Sequence, residues 1–119
     1  STKTKKVVIP KTVKYGGKTF KVTSIAKKAL YRKSKVTSVT IGANVKTIGA
    51  SAFQNCKKLS TITIKTTTLK TVSKNALKGI KATAKIKVPS KKLKAYKKLL
   101  KNRGQGRKVK IVKGKAFPK

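Results

Sequence analysis

Three stretches of this chain are versions of one another, and that repetition limits the possible folds more than any other feature of the sequence. Residues 22–41 (VTSIAKKALYRKSKVTSVTI), 45–64 (VKTIGASAFQNCKKLSTITI) and 69–88 (LKTVSKNALKGIKATAKIKV) align without gaps. Apolar positions recur as Val22/Val45/Leu69, Ile25/Ile48/Val72, Leu30/Phe53/Leu77, Val39/Ile62/Ile86 and Ile41/Ile64/Val88. Ala29, Ala52 and Ala76 share a small position suited to close approach between units. The offsets are 23 and 24 residues, a period typical of short solenoid units. One such unit buries too little surface to fold alone, so the stack itself makes the core.

Within a unit the periodicity changes halfway. The closing half, Leu59-Ser60-Thr61-Ile62-Thr63-Ile64, alternates apolar and hydroxyl side chains and is rich in β-branched residues, which predicts a strand. The opening half places Val45, Ile48, Ala52 and Phe53 at spacings that predict a short strand followed by one helical turn.

The same residues carry a family likeness. Val45-Lys46-Thr47-Ile48-Gly49, Ala52-Phe53-Gln54-Asn55-Cys56-Lys57-Lys58-Leu59 and Ile62-Thr63-Ile64 fit the pattern V-x-x-I-x-x-x-A-F-x-x-C-x-x-L-x-x-I-x-I, which resembles the BspA-type bacterial leucine-rich repeat. The flanking units fit more loosely, with Leu30 and Leu77 in place of Phe, and Lys33 and Ile80 in place of Cys. The resemblance covers about three quarters of the chain. It implies a secreted or bacterial cell-surface protein with a role in adhesion, and it brings no catalytic residues.

The expected fold is therefore an α+β repeat: a short right-handed leucine-rich-repeat solenoid forming one domain over residues 1–119. Residues 1–21 form the N-terminal cap, 22–88 the three repeats and 89–119 the C-terminal cap. Val7-Val8-Ile9 before Pro10 predicts an edge strand, and Val13 to Phe20 a β-hairpin turning at Gly16-Gly17. Phe20 and Phe53 are assigned to the core. At the other end Ser90 is the expected N-cap of an amphipathic helix reaching Asn102, with Leu93, Tyr96, Leu99 and Leu100 on its apolar face. Such a helix suits the open end of a solenoid. Lys108 to Val112 predicts a final strand.

Charge sets the functional classes. The chain has 35 Lys and Arg but no Asp, Glu or His, a formal net charge of +35. Catalytic carboxylate pairs, Ser-His-Asp and Cys-His arrangements, and sites for calcium, magnesium or a typical zinc ion all lack their side chains. No residue pattern requires a cofactor, and no catalytic residue stands out. Only Arg32, Arg103 and Arg107 are arginine, so the surface is a field of point charges rather than a set of planar forks that read bases. The expected partners are polyanions: DNA or RNA, teichoic acid, heparin-like glycans and acidic membrane surfaces, bound by a monomer through bulk electrostatics. Cell association or penetration is a corollary of such supercharging. The rival reading is an adhesin module binding a protein, its charge serving solubility or wall association.

Repeat stacking predicts particular lysine neighbours: Lys35 with Lys58, Lys57 with Lys81, and Lys46 with Lys70. Two unit charges about 5 Å apart cost about 0.8 kcal/mol in bulk water before screening, and no acid offsets any of them. Lys85 and Lys87 continue an exposed strand face that begins with Ser38, Thr40, Thr61 and Thr63, and Lys94 and Lys98 lie on the terminal helix. These ten lysines are the candidate polyanion-binding residues. Gly16-Gly17-Lys18-Thr19 mimics the tail of a phosphate-binding loop, but Thr12 stands where that motif needs Gly and a strand pattern follows, so it reads as a turn. Cys56 reads as a buried packing residue, with no base to activate it.

Overall fold

A computed structural model describes residues 6–114; the outer ends of both predicted caps, 1–5 and 115–119, lie outside the described residues. The elements in chain order are β1 (Lys6–Ile9), β2 (Thr12–Tyr15), β3 (Lys18–Lys21), β4 (Ser24–Ile25) and β5 (Ser38–Ile41). They continue with β6 (Thr47–Ile48), β7 (Thr61–Ile64), β8 (Thr71–Val72), β9 (Lys85–Val88), α1 (Leu93–Leu99) and β10 (Lys110–Lys113). Each repeat contributes one short and one long strand. The long strands form a five-stranded parallel sheet in the order β1-β5-β7-β9-β10, and the short ones a three-stranded parallel sheet, β4-β6-β8. The expected α+β leucine-rich-repeat solenoid is present, and its ladder of long strands has five rungs because β1 and β10 extend the three repeats at either end.

Alternation along the long strands sorts side chains between core and surface. Val39, Ile41, Ile62, Ile64, Ile86 and Val88 point inward and are buried, meeting Ile25, Ile48 and Val72 from the short sheet. Phe53, Leu59 and Leu77 fill the space between. Each fully buried side chain of this kind contributes about 1.5–3 kcal/mol. Ala52 and Ala76 are buried as the repeat reading requires, whereas Ala29, on the first rung, is exposed.

The segment after each short strand is not a helical turn. Ala52, Gln54 and Cys56 donate their N–H groups three residues back, to Gly49, Ser51 and Phe53. The intervening N–H groups of Ser51, Phe53 and Asn55 cross to the carbonyls of Lys74, Ala76 and Lys78 at 3.1, 3.0 and 2.8 Å. A helix would direct every donor back along its own chain and leave nothing for the neighbouring unit. Positive φ at Ser51 (57°) and Asn55 (62°) produces the alternation, repeated at Lys28, Arg32, Asn75 and Gly79. The repeats are thus joined by a third ladder, made of turns. Gly49 admits its neighbour's backbone there: a Cβ would lie 2.5 Å from the Lys27 nitrogen.

The ends follow the predicted plan with three corrections. The hairpin β2–β3 is antiparallel and turns at Gly16 and Gly17, with φ 58° and 78° as a type I′ turn requires. Phe20, however, is 48% exposed, because the hairpin projects from the stack instead of covering it. Ser90 is not an N-cap: it opens a 3-10 turn, Ser90–Lys92, after Pro89, and no side chain caps either this turn or α1. The helix also ends at Leu99, and Asn102 (φ 58°) and Gly104 (φ 98°) turn the chain away. Its seat is specific: the buried Tyr96 hydroxyl donates to the Thr66 carbonyl (2.8 Å) and accepts from the Leu69 N–H (3.1 Å). Thr66, itself buried, donates through Oγ1 to the Val45 carbonyl at 2.7 Å, linking the helix seat to the second repeat.

Candidate functional site

Stacking in register converts a sequence alternation into a patterned surface. On the outward face of the long sheet, Lys6, Ser38, Thr61, Lys85 and Lys110 form one row across the strands. Val8, Thr40, Thr63, Lys87 and Val112 form the next. Neighbours in a row are about 4.8 Å apart at the backbone. A strip of hydroxyls therefore runs between cations, and the densest charge is at the C-terminal edge, where Lys85 faces Lys110 with Lys87 beside them.

All ten lysines singled out from the sequence are exposed. The strand register of Ser38 opposite Thr61 carries Lys35 alongside Lys58, and the Lys70 N–H donates to the Lys46 carbonyl at 2.8 Å, so these two pairs are neighbours. The third pair is shifted. The Lys81 N–H bonds the Leu59 carbonyl at 3.2 Å, two residues beyond Lys57. The second and third repeats have equal lengths between their registered strands, so the shift is local to this corner, where Ala84 rather than Thr83, the counterpart of Leu59, is buried. Lys94 and Lys98 lie on the exposed side of α1, away from the sheet lysines in sequence and element. Lys6 and Lys110 join the sheet face without having been singled out. The signal for Lys110 was the predicted terminal strand, which gains meaning only once that strand is set against β9.

Cys56 is fully buried, and its Sγ donates to the Leu30 carbonyl at 3.0 Å. Burial pushes its thiol above the ordinary value, against a smaller lowering by a backbone hydrogen bond at Lys33. It is a packing residue, as the sequence indicated. Among the described residues no group of ligating side chains is placed to hold a metal ion.

With the geometry in place, comparison with known proteins decides the lineage. A family model described as the BspA type leucine rich repeat region, in six copies, matches residues 23–115. The chain belongs to the BspA-type leucine-rich repeat family. Comparison with curated proteins gave no match. Among solved structures, this BspA-type domain is similar to a leucine-rich repeat protein from Bacteroides ovatus, with a TM-score of 0.54 and 22% identity. The likeness covers 92% of this chain and 33% of that one, so the domain spans about a third of the neighbour's length. At that identity the likeness concerns the fold.

Proposed function

We propose that this BspA-type domain is a non-enzymatic binding scaffold that engages polyanions through the summed field of its lysines. The observation that carries the reading is the charge itself: 35 cations without one acidic side chain, displayed on rungs whose repetition brings like charges together. A fold that tolerates this repulsion gains from any polymer that neutralises it. Nucleic acids, teichoic acids, heparin-like glycans and acidic membranes share the required chemistry, and the scarcity of Arg argues against reading a base sequence. Association with cell surfaces, and uptake by cells, follows from the same field.

The test compares the location of charge with its amount. One variant carries Lys85→Ser, Lys87→Ser and Lys110→Ser; the other carries Lys94→Ser, Lys98→Ser and Lys101→Ser. Both remove the same charge, so both should weaken heparin binding equally, to within about twofold, with the same reduction in salt slope. Loss confined to the sheet variant would replace the bulk reading with a shaped site. A second reading, a cell-surface module that binds a protein, fits the family and draws support from the uncovered apolar side chains at the N-terminal end of the stack.

A further inference from the structure

The first unit differs from the inner ones at one corner. Between long and short strand the inner units need only residues 42–46 and 65–70, whereas the first uses 10–23, and the additional chain forms β2 and β3. This hairpin is a sheet of its own. A rung added at the end of the stack would pair with β1 and β4, the outermost strands of the two parallel sheets, and the hairpin belongs to neither. Its base is clamped: the Lys11 carbonyl accepts from the Val22 N–H at 2.9 Å and from Asn44 Nδ2 at 3.0 Å. Beyond that clamp every residue from 13 to 21 is exposed.

Register divides the hairpin into two faces. Val13 lies opposite Phe20, and Tyr15 opposite Lys18, so Val13, Tyr15 and Phe20 share one face, where they are 46%, 81% and 48% exposed. Thr12, Lys14, Thr19 and Lys21 make the other. A two-stranded hairpin alone is marginal in water, so this one gains from any phase that takes up its apolar face. Nucleic acids and sulfated glycans offer no such phase; an acidic membrane has one directly beneath its charges. Tyrosine is favoured at that boundary, its ring in the apolar layer and its hydroxyl among the headgroups. Lys18, on the same face, can lay its stem along the layer while its ammonium reaches a lipid phosphate. Lys11, Lys14 and Lys21 add attraction, and no acidic side chain opposes the approach. A second copy of this chain carries the same +35 and is repelled.

We infer that the β2–β3 hairpin is a membrane-insertion element, which sets Val13, Tyr15 and Phe20 into the interface of an anionic lipid bilayer. The inference rests on the polyanion reading for the approach to the bilayer, and adds a contact that salt does not screen. Insertion is shallow, because the outer edges of β2 and β3 carry unpaired backbone groups that must stay hydrated.

The chain contains no tryptophan, so single reporters can be placed at will. The full chain carrying Tyr15→Trp, and separately Thr63→Trp on the long sheet, is titrated with vesicles of phosphatidylcholine containing about 30% phosphatidylglycerol, with and without bromine on the acyl chains. Fluorescence of the Tyr15→Trp protein should shift to the blue and be quenched by bromine; that of the Thr63→Trp protein should do neither. The double variant Tyr15→Ser and Phe20→Ser keeps every charge and leaves the core untouched. It should bind these vesicles about tenfold or more weakly at moderate salt, with heparin affinity unchanged. Equal vesicle binding by the double variant, or equal quenching of the two reporters, would overturn the inference and leave membranes among the ligands of the general charge field. A blue shift that grows with protein concentration in the absence of vesicles would overturn it in favour of self-association. Failure of the unaltered chain to bind heparin and anionic vesicles alike would remove the polyanion reading, and the inference with it.

Discussion

Ser51 shows how much of this fold rests on single backbone conformations. Its φ of 57° is what lets alternate N–H groups cross to the next repeat, yet serine sits there where glycine is the residue usually associated with that conformation. Ser51→Val, which adds β-branching in the left-handed region, should destabilise the domain by about 1–2 kcal/mol, whereas Ser51→Gly should be neutral or slightly stabilising. Denaturant unfolding of the two variants measures the difference. The same site explains why the turn ladder was not legible beforehand. Lys28, Arg32 and Ser51 carry no glycine signal, while the spacing of Ile48, Ala52 and Phe53 suits a helix equally well. Phe20 misled for a related reason: alternation reports which side of a hairpin is apolar, but not whether the hairpin lies on the core.

The strands were legible because alternation of Ile and Thr leaves one possible inward face, and the register then follows from the repeat offset. What escaped were local departures within that offset, as where Ala84 takes the buried place of Thr83 and the Lys81 N–H bonds the Leu59 carbonyl, and the pairing of β10 with β9, for which no repeat provides a template. The terminal helix was legible as an apolar stripe, but its anchor was not. Tyr96 holds it through two hydrogen bonds to the backbone of Thr66 and Leu69. Tyr96→Phe keeps the ring and leaves both backbone groups without their partner, so it should cost about 1–3 kcal/mol. Burial holds the Tyr96 hydroxyl pKa above its ordinary value, with the Leu69 hydrogen bond lowering it less. A raised folded-state pKa stabilises fully below the unfolded value of about 10 and loses that contribution as pH rises through the folded one. The advantage of wild type over Tyr96→Phe in urea unfolding should therefore be constant near neutral pH and shrink above about pH 10. Lysine titration is common to both proteins and cancels in the difference. An advantage that grows with alkalinity would contradict the assignment.

Considered whole, the domain sets an apolar stack against a surface of one sign. Burial of the repeat side chains favours compaction, and self-repulsion among 35 cations opposes it with no ion pair to acidic side chains in compensation. Salt screens the second effect and leaves the first nearly untouched, so the melting temperature should rise from low to moderate ionic strength, and rise further with multivalent anions that bind the folded surface. A flat or falling melting temperature would mean that repulsion is not what limits stability. The same balance underlies the functional account, in which a polyanion relieves at the surface what the fold tolerates. The most direct test titrates short duplex DNA, an unrelated single-stranded RNA, heparin and a teichoic-acid polymer against the full chain over a range of salt. Bulk electrostatics predicts similar affinities for all four, each falling steeply and linearly in log–log form, with a slope of about −0.9 per phosphate contacted on duplex DNA. One polymer bound far more tightly than the rest, with its affinity intact at high salt, would contradict the account and require a shaped site on this surface.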